Sequence, residues 1–192
     1  WAAFDDRIAG RLGGNWASSV AVMIDGVVVH QAAFGERAPG TADAATPDDR
    51  FRIASISKTI TAITTLRLVE QGLLTLDEPV GDVLIRQLGV TNADADAANI
   101  TVRGLLSHTA GLGKGQDLMF GNGSVSYADA AAQALTSVGG SGYNYSNLGF
   151  VLLTVLIEAV TGKTYERVVN DELLEPLGIE GMRMTSTYEL GP

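Results

Sequence analysis

The stretch "SSVAVMIDGVVVHQAAFG", Ser18 to Gly35, constrains the fold more than any other part of the chain. Two runs rich in β-branched residues flank Asp25-Gly26, a dipeptide whose residues both accept positive φ and so close a two-residue hairpin. The pattern predicts strands at about Ser19–Ile24 and Val27–Phe34. The first run is apolar at nearly every position, which predicts cover on both faces. A two-stranded hairpin is marginal in water by itself, yet no later segment carries a comparable strand signal. The hairpin is therefore expected to belong to a larger sheet.

The rest of the chain reads as helices and loops. Phe4 to Leu12 is an amphipathic helix, broken by Gly13-Gly14. Residues 35–49 are a loop rich in Gly, Ala, Pro, Thr and Asp. A helix is predicted from about Ile56 to Gln71, with Ile56, Ile60, Ile63, Leu66 and Val69 at helical spacing and Gly72 just past its end. Asp77 and Pro79 prevent a continuation, and Asp77 and Glu78 read as turn and helix-start residues. Asp94 to Asn99 reads as surface loop. Thr101 caps a short helix through Ser107. "GLGKGQDLMFGNG", Gly111 to Gly123, is irregular. Ser126 caps a helix to about Thr136, with Asp129 placed for a capping box. A buried helix is predicted from about Leu148 to Val160, stopped by Gly162. Thr164 starts another, ending near Glu175-Pro176.

At 192 residues the chain is expected to form one domain. Residues 1–50 supply the first helix and the hairpin, and residues 51–192 a mostly helical part. The longest apolar run, "LGFVLLTVLIEAVTG", is too short to span a bilayer and holds Glu158, so no membrane span is expected. The formal net charge of -9 repels phosphate backbones and argues against a nucleic-acid partner. There are no cysteines, which removes disulfides, thiolate nucleophiles and Cys-ligated metals. The two histidines, His30 and His108, exclude a histidine-rich metal site. No metal and no cofactor is expected. The compartment stays open: the start "WAAFDDRIAGRLGG" carries no signal peptide, and a secreted or periplasmic location is compatible with it.

Chemistry concentrates at "FRIASISKTI". A helix start places Ser55 and Lys58 one turn apart on one face, while Ser57 points elsewhere. A serine hydroxyl needs a base within hydrogen-bond reach. Burial, nearby positive charge or the amino end of a helix can lower a lysine pKa and free its lone pair for that task. The Ser55 backbone N–H can stabilise an oxyanion. Phe51, Ile53 and Ile56 are expected to anchor the turn, and Ala54 to leave room beside the serine. Ser-x-x-Lys by itself is a weak signal, more often a capping serine and a solvated lysine.

A second constellation is "YNYSNLG". Tyr145 and Asn147 are one residue apart and can point the same way. A tyrosinate, or a Tyr–Lys pair, can relay the Ser55 proton to a leaving group. Asn147 can donate to a substrate carbonyl and hold Lys58. The bland alternative makes Asn147 a helix cap and Tyr145 its packing neighbour. Other features are set aside. "TGKT", Thr161 to Thr164, lacks the earlier glycine of a phosphate loop, because position 157 is isoleucine. His108 reads as a structural histidine tying one loop to another, and His30 as a surface or sheet-packing residue.

"FRIASISKTITAITTLRLVEQGLLTLDEPV", "TVRGLLSHTAGL", "YNYSNLGFVLLTVLIEAVTG" and "EPLGIEGMRMT", in that order, resemble the serine β-lactamase-like family. That family holds class C β-lactamases, DD-carboxypeptidases and related esterases. The resemblance implies an α/β (α+β) fold of β-lactamase/transpeptidase type, an antiparallel sheet beside a helical subdomain. It implies Ser55 as nucleophile, Lys58 as its partner, Tyr145 as catalytic tyrosine and Asn147 as substrate-binding asparagine. The implied reaction is acylation of Ser55 by an ester, a peptide amide or a β-lactam, then deacylation by water. A third family element, Lys-Thr-Gly or a variant, is not found after Tyr145. The sheet is therefore expected to be incomplete, and residues 1–192 alone to be weakly active or inactive. A small-molecule or peptide substrate is expected. A complementary carboxy-terminal chain, or self-association through open sheet edges, is a further expected partner. The non-enzymatic alternative is a binding or assembly module that retains the fold.

Overall fold

The computed structural model describes residues 1–12, 16–38, 40–112, 126–140 and 142–182. These fall into two compact units, one over Trp1–Arg52 and one from Ile53 onward.

The first unit holds α1 (Ala2–Leu12), β1 (Ser18–Ile24) and β2 (Val27–Phe34). The strands pair antiparallel, with a register shift between Val22 and Met23. Asp25 and Gly26 take φ of 49° and 78°, as a tight hairpin turn between twisted strands requires. On β2, His30 Nε2 lies 2.7 Å from Asp5 Oδ1 of α1, and the Trp1 ring stacks on the imidazole at 4.5 Å. His30 is thus a packing residue of the sheet face. Among the described residues the sheet is small and open, with two strands. Cover on both faces does not extend to the hairpin tip. Met23 and Val27 are each 63% exposed, and Ile24, Val28 and Val29 are exposed as well. The β-branched content made strands without supplying, among the described residues, a layer to cover their tip.

The second unit is helical. A 3-10 turn, Ala54–Ile56, leads into α2 (Ser57–Glu70). Then come α3 (Gly81–Gln87), α4 (Val102–Leu106), α5 (Tyr127–Ala134), α6 (Asn147–Thr161) and α7 (Tyr165–Val169), which runs on as a π-helical turn over Asn170–Leu174. The centre is α6, which packs against α2, α3, α4, α5 and α7. Its Leu148, Leu152, Leu153, Leu156 and Ile157 are buried among Leu68, Leu84, Val102, Leu105, Leu135 and Val168. Each such side chain contributes about 2 kcal/mol through removal from water. No single helix among the described residues is long and apolar enough to cross a membrane.

Local capping chemistry sets the helix boundaries. Thr101, Ser126, Ser146 and Thr164 each accept the backbone N–H three residues on. Gly162 ends α6 in the left-handed region. The second arm of the expected capping box differs: the Ser126 hydroxyl donates to the Asp129 carboxylate. Asp94 to Asn99 is also more ordered than a surface loop. It is a 3-10 turn over Ala95–Asn99, capped by Asp94, with Ala97 fully buried. Asp77 forms a forked pair with Arg103, which donates from Nε at 2.6 Å and Nη2 at 2.8 Å.

The buried face of α2 departs from the apolar spacing. Thr61, Thr64, Thr65 and Leu68 face the core, while Ile63 and Leu66 are exposed. Thr61 and Thr65 tolerate this because their hydroxyls donate back along the helix, whereas the buried Thr64 Oγ1 has no hydrogen-bond partner among the described residues. Thr61 Oγ1 donates to the Ser57 carbonyl and Thr65 Oγ1 to the Thr61 carbonyl. The break at Gly13-Gly14, most of the irregular Gly111–Gly123 segment and the end of the "EPLGIEGMRMT" match lie outside the described residues.

Candidate active site

Ser55 stands in the 3-10 turn that opens α2, and Lys58 in the first turn of α2. The turn is entered through Ala54, whose φ is 43°. An L-residue with a Cβ pays about 1–2 kcal/mol in that region, so Ala54 does more than leave space: it bends the backbone that presents Ser55. Ile56 does not anchor the turn. It is 64% exposed, and the turn is held instead by the Ile56 N–H on the Ile53 carbonyl.

The other two residues come from the segment before α6. Asn144 donates its N–H to the His108 carbonyl at 2.8 Å, and the Ser146 side chain caps α6 by accepting the Gly149 N–H. Asn147 is thereby the first residue of α6, not its cap. This arrangement brings all four residues together. The Ser55 hydroxyl and the Tyr145 phenol are 2.8 Å apart. Lys58 Nζ donates to Ser55 Oγ at 3.2 Å and to Asn147 Oδ1 at 2.6 Å. It also lies 4.8 Å from the Tyr145 ring centroid and 5.7 Å from that of Phe150. Amide oxygen and aromatic faces are partners for a cation. Hydrogen bonding from Lys58, then from Ser55, holds the Tyr145 phenol below the usual tyrosine range. The arrangement can accept a proton from Ser55 on the phenol oxygen, with lysine beside it as counter-charge.

Two further residues shape this site without having been singled out for it. Phe150 stands one turn after Asn147 on α6, a spacing that marks it as a neighbour on the same face. His108, expected to tie loops together, does so through Nδ1, which accepts the Ser146 N–H at 3.1 Å. Its ring also packs 4.6 Å from that of Tyr145. Lys163 of the "TGKT" segment pairs with Asp171 at 3.0 Å. Among the described residues no group of three or more His, Asp and Glu could hold a metal ion.

A small open antiparallel sheet with a large helical part defines a class, the serine-hydrolase fold group of β-lactamases, penicillin-binding proteins and esterases. Residues 4–190 match the family described as Beta-lactamase, and the chain belongs to that family. It is 34% identical over 167 residues to penicillin-binding protein 4 of Amycolatopsis lactamdurans, covering 84% of this chain and 43% of that protein. It is likewise 34% identical to the esterase EstB of Burkholderia gladioli, covering 74% of this chain and 42% of the relative. The octameric penicillin-binding protein homologue from Pyrococcus abyssi superposes with a TM-score of 0.70 at 28% identity, over 93% of this chain and 42% of that one. The chain thus spans about two fifths of the length of these relatives.

Proposed function

We propose that the protein is a serine hydrolase that works through an acyl-enzyme on Ser55. The observation that carries this reading is the joined set of Ser55, Tyr145, Lys58 and Asn147. Tyr145, as the tyrosinate that the adjacent Lys58 favours, takes the hydroxyl proton as Ser55 Oγ attacks the carbonyl carbon of an ester or amide. The Ser55 N–H stabilises the oxyanion. As the intermediate collapses, the phenol returns the proton to the leaving alcohol or amine. Water then attacks the acyl carbon by the same route in reverse, and Ser55 is released. Asn147 spends its oxygen on Lys58, which leaves its amide N–H groups for a substrate carbonyl.

Similarity to a penicillin-binding protein, to a D-alanyl-D-alanine-carboxypeptidase and to an esterase supports β-lactams, D-Ala-D-Ala peptides and small esters as the substrate classes. Acylation draws on the groups just named. A fluorophosphonate probe tests the assignment. Labelling that disappears in Ser55→Ala and persists in Ser57→Ala is the expected result. Labelling indifferent to Ser55→Ala rejects the nucleophile. No labelling of the native chain favours the binding-module alternative.

A further inference from the structure

The hydrolase reading leaves His108 without a role, although it contacts the Tyr145 segment through its ring, its Nδ1 and its carbonyl. Its Nδ1 accepts the N–H of Ser146, the residue between Tyr145 and Asn147. Its carbonyl accepts the N–H of Asn144, one residue before Tyr145. Its ring packs on Tyr145 at 4.6 Å and on Phe150 at 5.2 Å, with Tyr143 edge-on at 5.7 Å. Its backbone is held at φ 59°, in the left-handed region that only a few per cent of non-glycine residues adopt. Such strain persists only where the surroundings over-determine it.

Resting on the hydrolase reading, we propose that His108 is a positioning residue for Tyr145 and Asn147, and that it works only as the neutral imidazole protonated at Nε2. The reason is the direction of one hydrogen bond. A neutral ring can accept the Ser146 N–H at Nδ1. An imidazolium donates from both nitrogens, so a proton on Nδ1 sets two N–H groups against each other. The backbone between Tyr145 and Asn147 then loses its anchor, and the phenol its 2.8 Å approach to Ser55. The groups facing the imidazole are Lys58 from α2, Tyr143 and Tyr145 from the preceding loop, and Phe150 from α6. Lys58 is the charged one. Burial, and then the Lys58 charge, push the imidazole below its ordinary value. The working form therefore prevails at neutral pH and fails in acid.

Two readouts test this, one independent of activity. In protein labelled with 15N-histidine and 15N-serine, His108 is expected to show an unprotonated Nδ1 at pH 8. It should titrate below the ordinary histidine value, and the Ser146 amide should move with the same midpoint. The rate of fluorophosphonate labelling should fall in acid with a step at that midpoint. His108→Phe keeps a ring but removes the acceptor, and should slow labelling by about tenfold to a hundredfold, the range expected of a displaced reacting group. His108→Asn places an acceptor oxygen near the Nδ1 position and tolerates positive φ. It should recover most of the rate at pH 8 and lose the acidic step at the His108 midpoint. An Nδ1-protonated tautomer, a Ser146 amide indifferent to the titration, or a His108→Asn variant that keeps the step overturns the positioning role alone. A native chain that the probe does not label overturns the hydrolase reading and this role with it.

Discussion

Ser55 and Tyr145, 90 residues apart in the chain, share a hydrogen bond of 2.8 Å between hydroxyl and phenol. The helix that follows Ser55 packs on α6, and the loop that carries Tyr145 is tied to His108 and to the start of α6, so the contact is a product of the helical core. Lys58 closes the set by reaching both Ser55 and Asn147.

Removing the phenol oxygen should remove the base. Tyr145→Phe is expected to slow Ser55 labelling by about 10²- to 10⁴-fold. Labelling by the native chain should rise with pH as the phenol ionises, at a pH below the usual 10 because Lys58 and Ser55 hydrogen-bond to it. Lys58→Met removes the larger of these causes, so the surviving step should move up toward 10. A pH–rate profile for both variants checks this. A native profile flat from pH 6 to 10 contradicts it.

The bend at Ala54 sets stability against function. Glycine accepts a φ of 43° without the Cβ clash. Ala54→Gly should raise the urea midpoint, by about 1 kcal/mol in stability, while the looser turn slows labelling. A drop in stability would show that the turn is not strained.

Two glycines should respond in opposite ways to alanine. A Cβ on Gly81 would lie 1.9 Å from the Ala97 carbonyl oxygen, so Gly81→Ala must push α3 off the 3-10 turn, at about 1–3 kcal/mol. A Cβ on Gly149 would meet nothing closer than Leu112 Cδ1 at 3.6 Å, an ordinary contact. Gly149→Ala should be neutral or stabilise α6 by up to about 1 kcal/mol. Urea denaturation of the pair checks the contrast.

Tyr165 should make the fold sensitive to alkali. Its buried phenol shares a 2.7 Å hydrogen bond with Thr61 Oγ1, and burial raises its pKa above the ordinary 10, opposed in part by Thr61. The unfolded chain sheds this proton near pH 10 while the folded chain keeps it. Stability from this group is therefore full below pH 10 and is lost as pH rises through the raised folded value. Tyr165→Phe should flatten that alkaline slope and cost about 1 kcal/mol at neutral pH. Denaturation midpoints from pH 8 to 11 decide it.

Much of this architecture is legible in the chain itself, where the cause is local. Asp25-Gly26 makes its own turn, Thr101, Ser126 and Thr164 satisfy helix N–H groups three residues away, and Gly162 ends α6 by its own freedom of φ. The buried face of α2 is hidden because Thr61 is buried by a partner 104 residues on, Tyr165. Spacing brings Ser55 near Lys58 and Tyr145 near Asn147, but the meeting of the two pairs depends on α6. Phe150 matters through ring packing, which no short motif records; the loop-tying role of His108 is legible, but its packing against Tyr145 is not. The exposed Val27 and Met23 show the same limit from the other side: strand propensity says nothing of what covers a strand.

The central claim is that Ser55 is the acylated atom. Mixing the protein with a slowly released β-lactam or an activated aryl ester, quenching in acid and mapping the adduct by peptide mass spectrometry tests it most directly. The acyl mass should sit on Ser55, vanish in Ser55→Ala and fall sharply in Tyr145→Phe. An adduct on Ser57 or elsewhere, an adduct that survives Ser55→Ala, or substrate consumed at an undiminished rate by that variant would contradict it.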